Sequence, residues 1–151
     1  MTRTLTPLLA ALLLASAPMA HAAAQAADAA SATAPYQEKV VYHINDSSRA
    51  RMALNNVRNH LDASPDAKIV VVAHGKGIDF LLNDAKDDKG AYEPLVAALK
   101  NRGVDFRVCN NTLKSRNLGP DAVIMEARVV PSGVAEIARL EAKEGYVYIK
   151  P

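Results

Sequence analysis

The sequence predicts a three-layer α/β/α sandwich built on about five mainly parallel strands. Three observations carry that expectation. Short β-branched runs alternate with amphipathic segments from Glu38 onward. One run, Lys68–Ala73, is apolar almost throughout, as in a strand covered on both faces. Strands separated by helices pair in parallel through right-handed crossovers. There is no internal repeat.

The elements follow in order. Lys39–Ile44 is β-branched and bounded by Asn45-Asp46-Ser47-Ser48, a strand running into a helix cap. A helix over 48–63 places Met52, Val57 and Leu61 on one side, and Ser64-Pro65-Asp66 ends it. After the Lys68–Ala73 strand, His74-Gly75-Lys76-Gly77 turns the chain into a short helix over Ile78–Asn83. A charged loop, Asp84–Gly90, leads to a helix over Tyr92–Arg102 that Gly103 stops. Val104–Val108 is the third strand, with Cys109 just past its end and a short helix near Leu113–Asn117. Ala127–Val130 is the fourth strand, Ser132–Glu144 a helix ended by Gly145, and Tyr146–Ile149 the fifth strand.

The beginning of the chain has a different character. Arg3 and Asp28 are the only charged residues before Tyr36. Met1-Thr-Arg-Thr is a short positive start, Leu5–Ala17 an apolar stretch, and Ala20-His21-Ala22 a small-x-small cleavage site after Pro18. This is the plan of a secretory signal peptide over residues 1–22, with an uncleaved anchor as the alternative. Residues 23–37 are alanine-rich and read as a flexible tether, and residues 38–151 as the folded domain. Export to a bacterial periplasm is expected, with no membrane span once the signal is cleaved.

Composition removes several function classes. A formal net charge of +2 is too small for an electrostatic hold on nucleic acid. Five tyrosines, two phenylalanines and no tryptophan argue against a base-stacking platform. The single cysteine excludes an intramolecular disulfide framework and any all-cysteine metal or iron–sulfur site.

In a parallel sheet the loops after the carboxyl ends of the strands converge on one edge, where ligands bind. Those loops carry Asn45-Asp46, His74–Gly77, Cys109–Thr112 and Pro131-Ser132-Gly133. Cys109, between a strand end and a helix start, is placed to feel free backbone N–H groups that favour thiolate. Arg107, Lys114 and Arg116 are close enough in sequence to add positive potential. The competing reading is a small buried apolar residue finishing a strand. A free thiol in an oxidising compartment points to use or to thorough burial. His74 is a candidate acid, base or thiolate partner, against a loop histidine bonded to backbone. Gly75-Lys76-Gly77 offers a small anion cradle without the spacing of a nucleotide loop. His43 reads as a core or interface histidine and His60 as a surface one. Cys109, His74 and His43 have the residue types of a metal site but no diagnostic spacing, so neither metal nor cofactor is expected. Asp84, Asp87 and Asp88 read as a solvated loop.

Four ordered blocks then carry a family likeness. They are Val57–Leu61; Val71–Leu82 with its His74-Gly-Lys-Gly-Ile-Asp-Phe; Gly103–Leu113 with its Val-Cys-Asn-Asn-Thr; and Val129–Ile137, continued by Gly145–Pro151. Over residues 38–151 the chain resembles the DsrE/DsrF-like proteins, in particular the small exported stand-alone members. The resemblance implies a flavodoxin-like domain assembled into homotrimers or larger rings such as hexamers. It also implies a cysteine that accepts sulfane sulfur as a persulfide and passes it on. On that pattern Cys109 is the family cysteine, Asn110, Asn111 and Thr112 are its surroundings, and His74 and Gly75 match the second-strand loop.

Two functions follow. In the first, Cys109 relays sulfane sulfur from a donor protein or small sulfur anion, a carrier or transferase-like role at most. In the second, an oligomeric binding module holds a small anion, a metal or a partner, with Cys109 structural or redox-sensing.

Overall fold

The computed structural model describes residues 36–151. The expected signal peptide, and the tether as far as Pro35, lie outside the described residues. Five strands form one all-parallel sheet: β1 (Lys39–Ile44), β2 (Lys68–Ala73), β5 (Asp105–Cys109), β6 (Ala127–Val130) and β7 (Val147–Ile149). Their order across the sheet is β6-β5-β2-β1-β7. Between β2 and β5 the chain adds a small antiparallel hairpin, β3 (Lys86–Asp87) with β4 (Gly90–Ala91). Four α-helices complete the domain: α1 (Ala50–Ala63), α2 (Glu93–Asn101), α3 (Asn110–Ser115) and α4 (Gly133–Glu144).

The strand order dictates which face each helix covers. The chain steps from β1 to β2, β5 and β6 in one direction, so right-handed crossovers put every intervening helix on one face. It then returns across the sheet to β7 beside β1, and α4 lies on the opposite face. The two cores reflect this asymmetry. The larger packs Val40, Tyr42, Val71 and Phe106 against Leu54, Val57 and Leu61 of α1 and Val96 of α2. The smaller consists of Val41, Val70 and Val72 under Ile137 and Leu140 of α4.

Several local expectations are corrected. On α1 the buried stripe is Ala50, Ala53, Leu54, Val57 and Leu61, and Met52 faces solvent, because spacings of three and four residues select that stripe. The segment after β2 is a 3-10 helix over Gly75–Leu81 that begins inside the glycine turn. Helix α3 starts at Asn110, directly after the strand, so Cys109 both ends β5 and precedes the helix. The 84–90 segment is not simply solvated. Asp87 of β3 receives Arg51 Nε at 2.6 Å and Tyr92 Oη at 3.1 Å, and the Arg51 guanidinium beside it holds its carboxyl well below the usual range. This ties the hairpin to α1. Among the described residues no helix is long and apolar enough to cross a membrane.

Candidate functional site

Cys109 closes β5 and is 5% exposed. Its register partner on β6 is Val130, which leads through Pro131 and Ser132 into α4. The first N–H groups of a helix have no intrahelical acceptor. Ser132 caps α4 by accepting from the Ala135 N–H at 3.4 Å, leaving the Gly133 N–H available to the sulfur. Gly133 comes this close because it lacks a side chain. A β-carbon there would lie 3.1 Å from Cys109 Cβ, 3.2 Å from His74 Cβ and 3.5 Å from Val72 Cγ1.

The other donors come from α3 and its hydroxyl. The Gly75 N–H donates to Thr112 Oγ1 at 3.0 Å, which occupies an oxygen lone pair and leaves the hydroxyl proton free for Cys109. The backbone N–H groups of Asn111 and Thr112 face the same sulfur. None forms a full capping bond to the neutral thiol, so their effect is on the charged form. Burial pushes the thiol upward, but the Gly133, Thr112 and Asn111 donors outweigh it and hold its pKa below the ordinary cysteine value. The arrangement favours a nucleophilic thiolate.

The cationic side chains expected to help do not. The buried Arg107 guanidinium is claimed by Asp105 Oδ2, at 2.7 and 2.9 Å, and by Glu136. Arg116 pairs with Asp79, and Lys114 is exposed. Backbone dipoles and one hydroxyl therefore tune Cys109.

His74 follows β2 beside Cys109, flanking the space that a Gly133 β-carbon would take. Its Nε2 lies 2.6 Å from His43 Nε2, with the rings stacked at 4.6 Å between centroids. At that separation one nitrogen carries a proton and the other accepts it. His43 Nδ1 in turn meets Tyr148 Oη at 2.6 Å. Burial and the nearby Lys150 lower the pKa of His74, while burial, His74 and Lys150 bring His43 down to about 4. His74 is thus bonded to a second imidazole and not to backbone. His43 extends from the sheet toward the loop edge, and its polarity at the end of β1 was the available signal.

The remaining candidates divide. Gly75 is exposed with φ +56°, a left-handed conformation that suits glycine, and Lys76 is exposed beside it. Gly77 is buried, and a β-carbon on it would meet Ile44 O at 2.1 Å, so its place in the expected anion cradle is replaced by a packing role. Asn110 is half-buried at the start of α3, and Asn111 contributes its N–H. Thr112, Gly75, Lys76, Asp79, Ser115 and Arg116 line an open cleft of about 630 Å³, so the hydroxyl next to the thiol also borders solvent space. No cluster of three metal-ligating side chains occurs among the described residues. His60 is not a free surface histidine: its Nδ1 meets Tyr42 Oη at 2.9 Å and its Nε2 meets Glu38 at 2.6 Å, bracing α1 against β1.

No curated protein matches the chain. Among solved structures, MTH1491 from Methanobacterium thermoautotrophicum, a protein of unknown function, is 34% identical with a TM-score of 0.69, covering 76% of this chain and 100% of its own. The YchN protein from E. coli shares the fold at a TM-score of 0.62 with 12% identity, covering 77% of this chain and 100% of its own. The model of the DsrE/DsrF-like family matches residues 10–151. With that match spanning the whole sheet and the Cys109 loop, the chain belongs to the DsrE/DsrF-like family.

Proposed function

We propose that this protein is a periplasmic sulfur carrier in which Cys109 takes up a sulfane sulfur as a persulfide and hands it to an acceptor thiol. Family membership suggests a sulfur-relay-related role. The observation that carries the finer reading is the donor set of Gly133, Thr112 and Asn111, which lowers the pKa of a largely buried thiol. A purely structural cysteine gains nothing from such a set, whereas a nucleophile needs the thiolate.

The chemistry is a substitution at sulfur. The Cys109 thiolate attacks the outer sulfur of a donor such as thiosulfate, a new S–S bond forms, and the donor's S–S bond breaks. The bonding pair leaves with sulfite, and Cys109 holds an anionic persulfide. An acceptor thiolate then attacks the outer persulfide sulfur and returns Cys109 as thiolate. The same N–H and hydroxyl donors stabilise the anion before and after each step. His74, stacked on His43, manages the proton when the acceptor arrives as a thiol. The carrier acts as a homo-oligomer, a trimer or hexamer, supported by the exposed apolar edge strand β7, where Val147 is 56% exposed.

Intact mass measurement after exposure to thiosulfate or polysulfide tests the reading, with Cys109→Ser beside it. Addition of sulfur confined to Cys109 and reversed by cyanide or reductant is the expected result. No adduct, together with a thiol silent to alkylation in the folded state, would reject it. The low exposure of Cys109 then favours an oligomeric binding module with a structural cysteine.

A further inference from the structure

Strand register brings three hydrogen-bonding side chains together on the α4 face of the sheet. Val41 and Val72 belong to the core under α4. Side chains alternate along extended backbone, so His43 and His74, each two residues further on, lean to that same side. Tyr148 is the register partner of Val41 on β7 and shares the face. His43 Nε2 lies 2.6 Å from His74 Nε2, and His43 Nδ1 lies 2.6 Å from Tyr148 Oη. The 4.6 Å between the imidazole centroids exceeds the nitrogen separation by nearly two ring radii, so each nitrogen points at the other.

This chain of groups has one end at the thiol and the other in solvent. Between β5 and β6 the strand-end loops part to opposite faces, toward α3 and α4, and Cys109 sits in that crevice. Cys109 Cβ and His74 Cβ lie 3.1 and 3.2 Å from the point that a Gly133 β-carbon would occupy. His74 Nδ1 is neither buried nor bonded to another group among the described residues. At the far end Tyr148 is 38% exposed. We propose that His74, His43 and Tyr148 form a proton relay between the Cys109 site and solvent, with His43 and Tyr148 acting through His74. The relay rests on the carrier reading and adds to it the outlet for the proton of a thiol acceptor.

Sulfur transfer to a thiol releases one proton. The thiol and the anionic Cys109 persulfide become a new anionic persulfide, the Cys109 thiolate and that proton. The acceptor sulfur bonds to the outer sulfur, and the pair of the broken S–S bond returns to Cys109. Each neutral imidazole carries one proton, so the three groups have two arrangements with the same proton count. In one, His74 Nε2–H donates to His43 Nε2, His43 Nδ1–H donates to Tyr148 Oη, and the Tyr148 hydroxyl donates to water. His74 Nδ1 is then bare and takes the thiol proton, while each donor hands its own proton to the next group. Tyr148 releases one to water, and the reversed arrangement results. Loading from an organic persulfide consumes one proton and runs the chain back. Burial and the nearby Lys150 disfavour imidazolium at both histidines, so the proton is passed on and not held.

Single-turnover release of sulfur from the thiosulfate-loaded protein tests this, with 2-mercaptoethanol and sulfite as separate acceptors and intact mass as the readout. In mildly alkaline buffer sulfite attacks as an anion and forms thiosulfate, so it brings no proton to remove. The thiol-to-sulfite rate ratio should fall about 100-fold in His43→Asn, the low end for a positioned acid–base group. It should fall about tenfold in Tyr148→Phe, which deletes only the outlet hydroxyl, because water can stand in for that group. Damage to the fold would slow both acceptors and leave the ratio alone. Ratios unchanged in both variants would overturn the relay and leave the carrier reading intact. A fall confined to His43→Asn would overturn the Tyr148 outlet. Absence of sulfur loading on Cys109 would instead overturn the carrier reading, and the relay with it.

Discussion

Gly133 brings its backbone N–H to the sulfur of Cys109, and it does so because a β-carbon at that position would stand 3.1 Å from Cys109 Cβ. The contact joins the loop after β6 to the end of β5. It makes the electrostatics of the thiol depend on how closely α4 packs against the sheet. Small residue, close helix and lowered thiol pKa form one chain of cause.

Replacing Gly133 by alanine therefore tests packing and chemistry together. The added methyl presses on Cys109 and His74, which should cost about 1–3 kcal/mol of stability as an overpacked core does. With the helix start displaced, alkylation of Cys109 at neutral pH should slow about tenfold, the loss expected for one hydrogen bond to a charged group. Denaturant midpoints and iodoacetamide kinetics on the same samples measure both. Unchanged alkylation at reduced stability would show that the Gly133 N–H does not tune the thiol.

Thr112→Val removes the hydroxyl and keeps the shape. It deletes one donor to Cys109 and the acceptor of the Gly75 N–H. Alkylation should slow by about tenfold, and stability should fall by about 1 kcal/mol, because the Gly75 N–H is exposed enough to find water. Thr112→Ser should restore most of the reactivity. A serine variant as slow as the valine variant would count against the hydroxyl.

The two glycines after His74 should behave differently. Gly77→Ala drives a β-carbon into Ile44 O at 2.1 Å, a backbone atom that cannot swing aside, and about 3 kcal/mol or outright loss of the fold is expected. Gly75→Ala meets nothing closer than Asn45 O at 3.7 Å but has a φ of +56°, and about 1–2 kcal/mol of backbone strain is expected. Thermal unfolding of both variants ranks them. Equal losses would contradict the distinction between close approach and strain.

His43 should make stability depend on pH in one direction. Its folded pKa, about 4, lies below the unfolded value of about 6.5, so between them the unfolded chain binds more protons. Stability from this group is complete above the unfolded value and is lost as pH falls from about 6.5 toward about 4. His74 shifts in the same sense. Urea midpoints across that range should drop less steeply for His43→Asn than for the natural protein. Parallel curves would remove His43 as a source of the effect.

Arg107→Met tests the buried ion network under α4. Stranding a buried carboxylate costs about 3–5 kcal/mol when no partner remains. Here Asp105 keeps Arg128, at 3.0 Å, and Glu136 keeps Arg139, at 2.9 Å, so a smaller loss of about 1–3 kcal/mol is expected. Double substitution with Glu136→Gln should lose less than the sum of the single effects. Strict additivity would mean that the two residues do not share one network.

The sequence by itself determined the architecture and the edge that carries the candidate site. β-branched runs, caps such as Ser132 and stops such as Gly145 are local signals, and parallel crossovers then leave few arrangements. The Lys68–Ala73 run and the Cys109 junction were legible for that reason. What only the tertiary structure decided depends on groups distant along the chain. Arg107 was near Cys109 in sequence, yet its guanidinium is committed to Asp105 and Glu136. His43 and His74 stand 31 positions apart, and only the β1–β2 register stacks their rings. Tyr148 reaches His43 because β7 returns to the far side of β1, a placement that local pattern does not specify. Local propensity selects elements over a few residues. The pKa of a thiol or an imidazole is set by whatever dipoles and charges folding brings within hydrogen-bonding and Coulomb range.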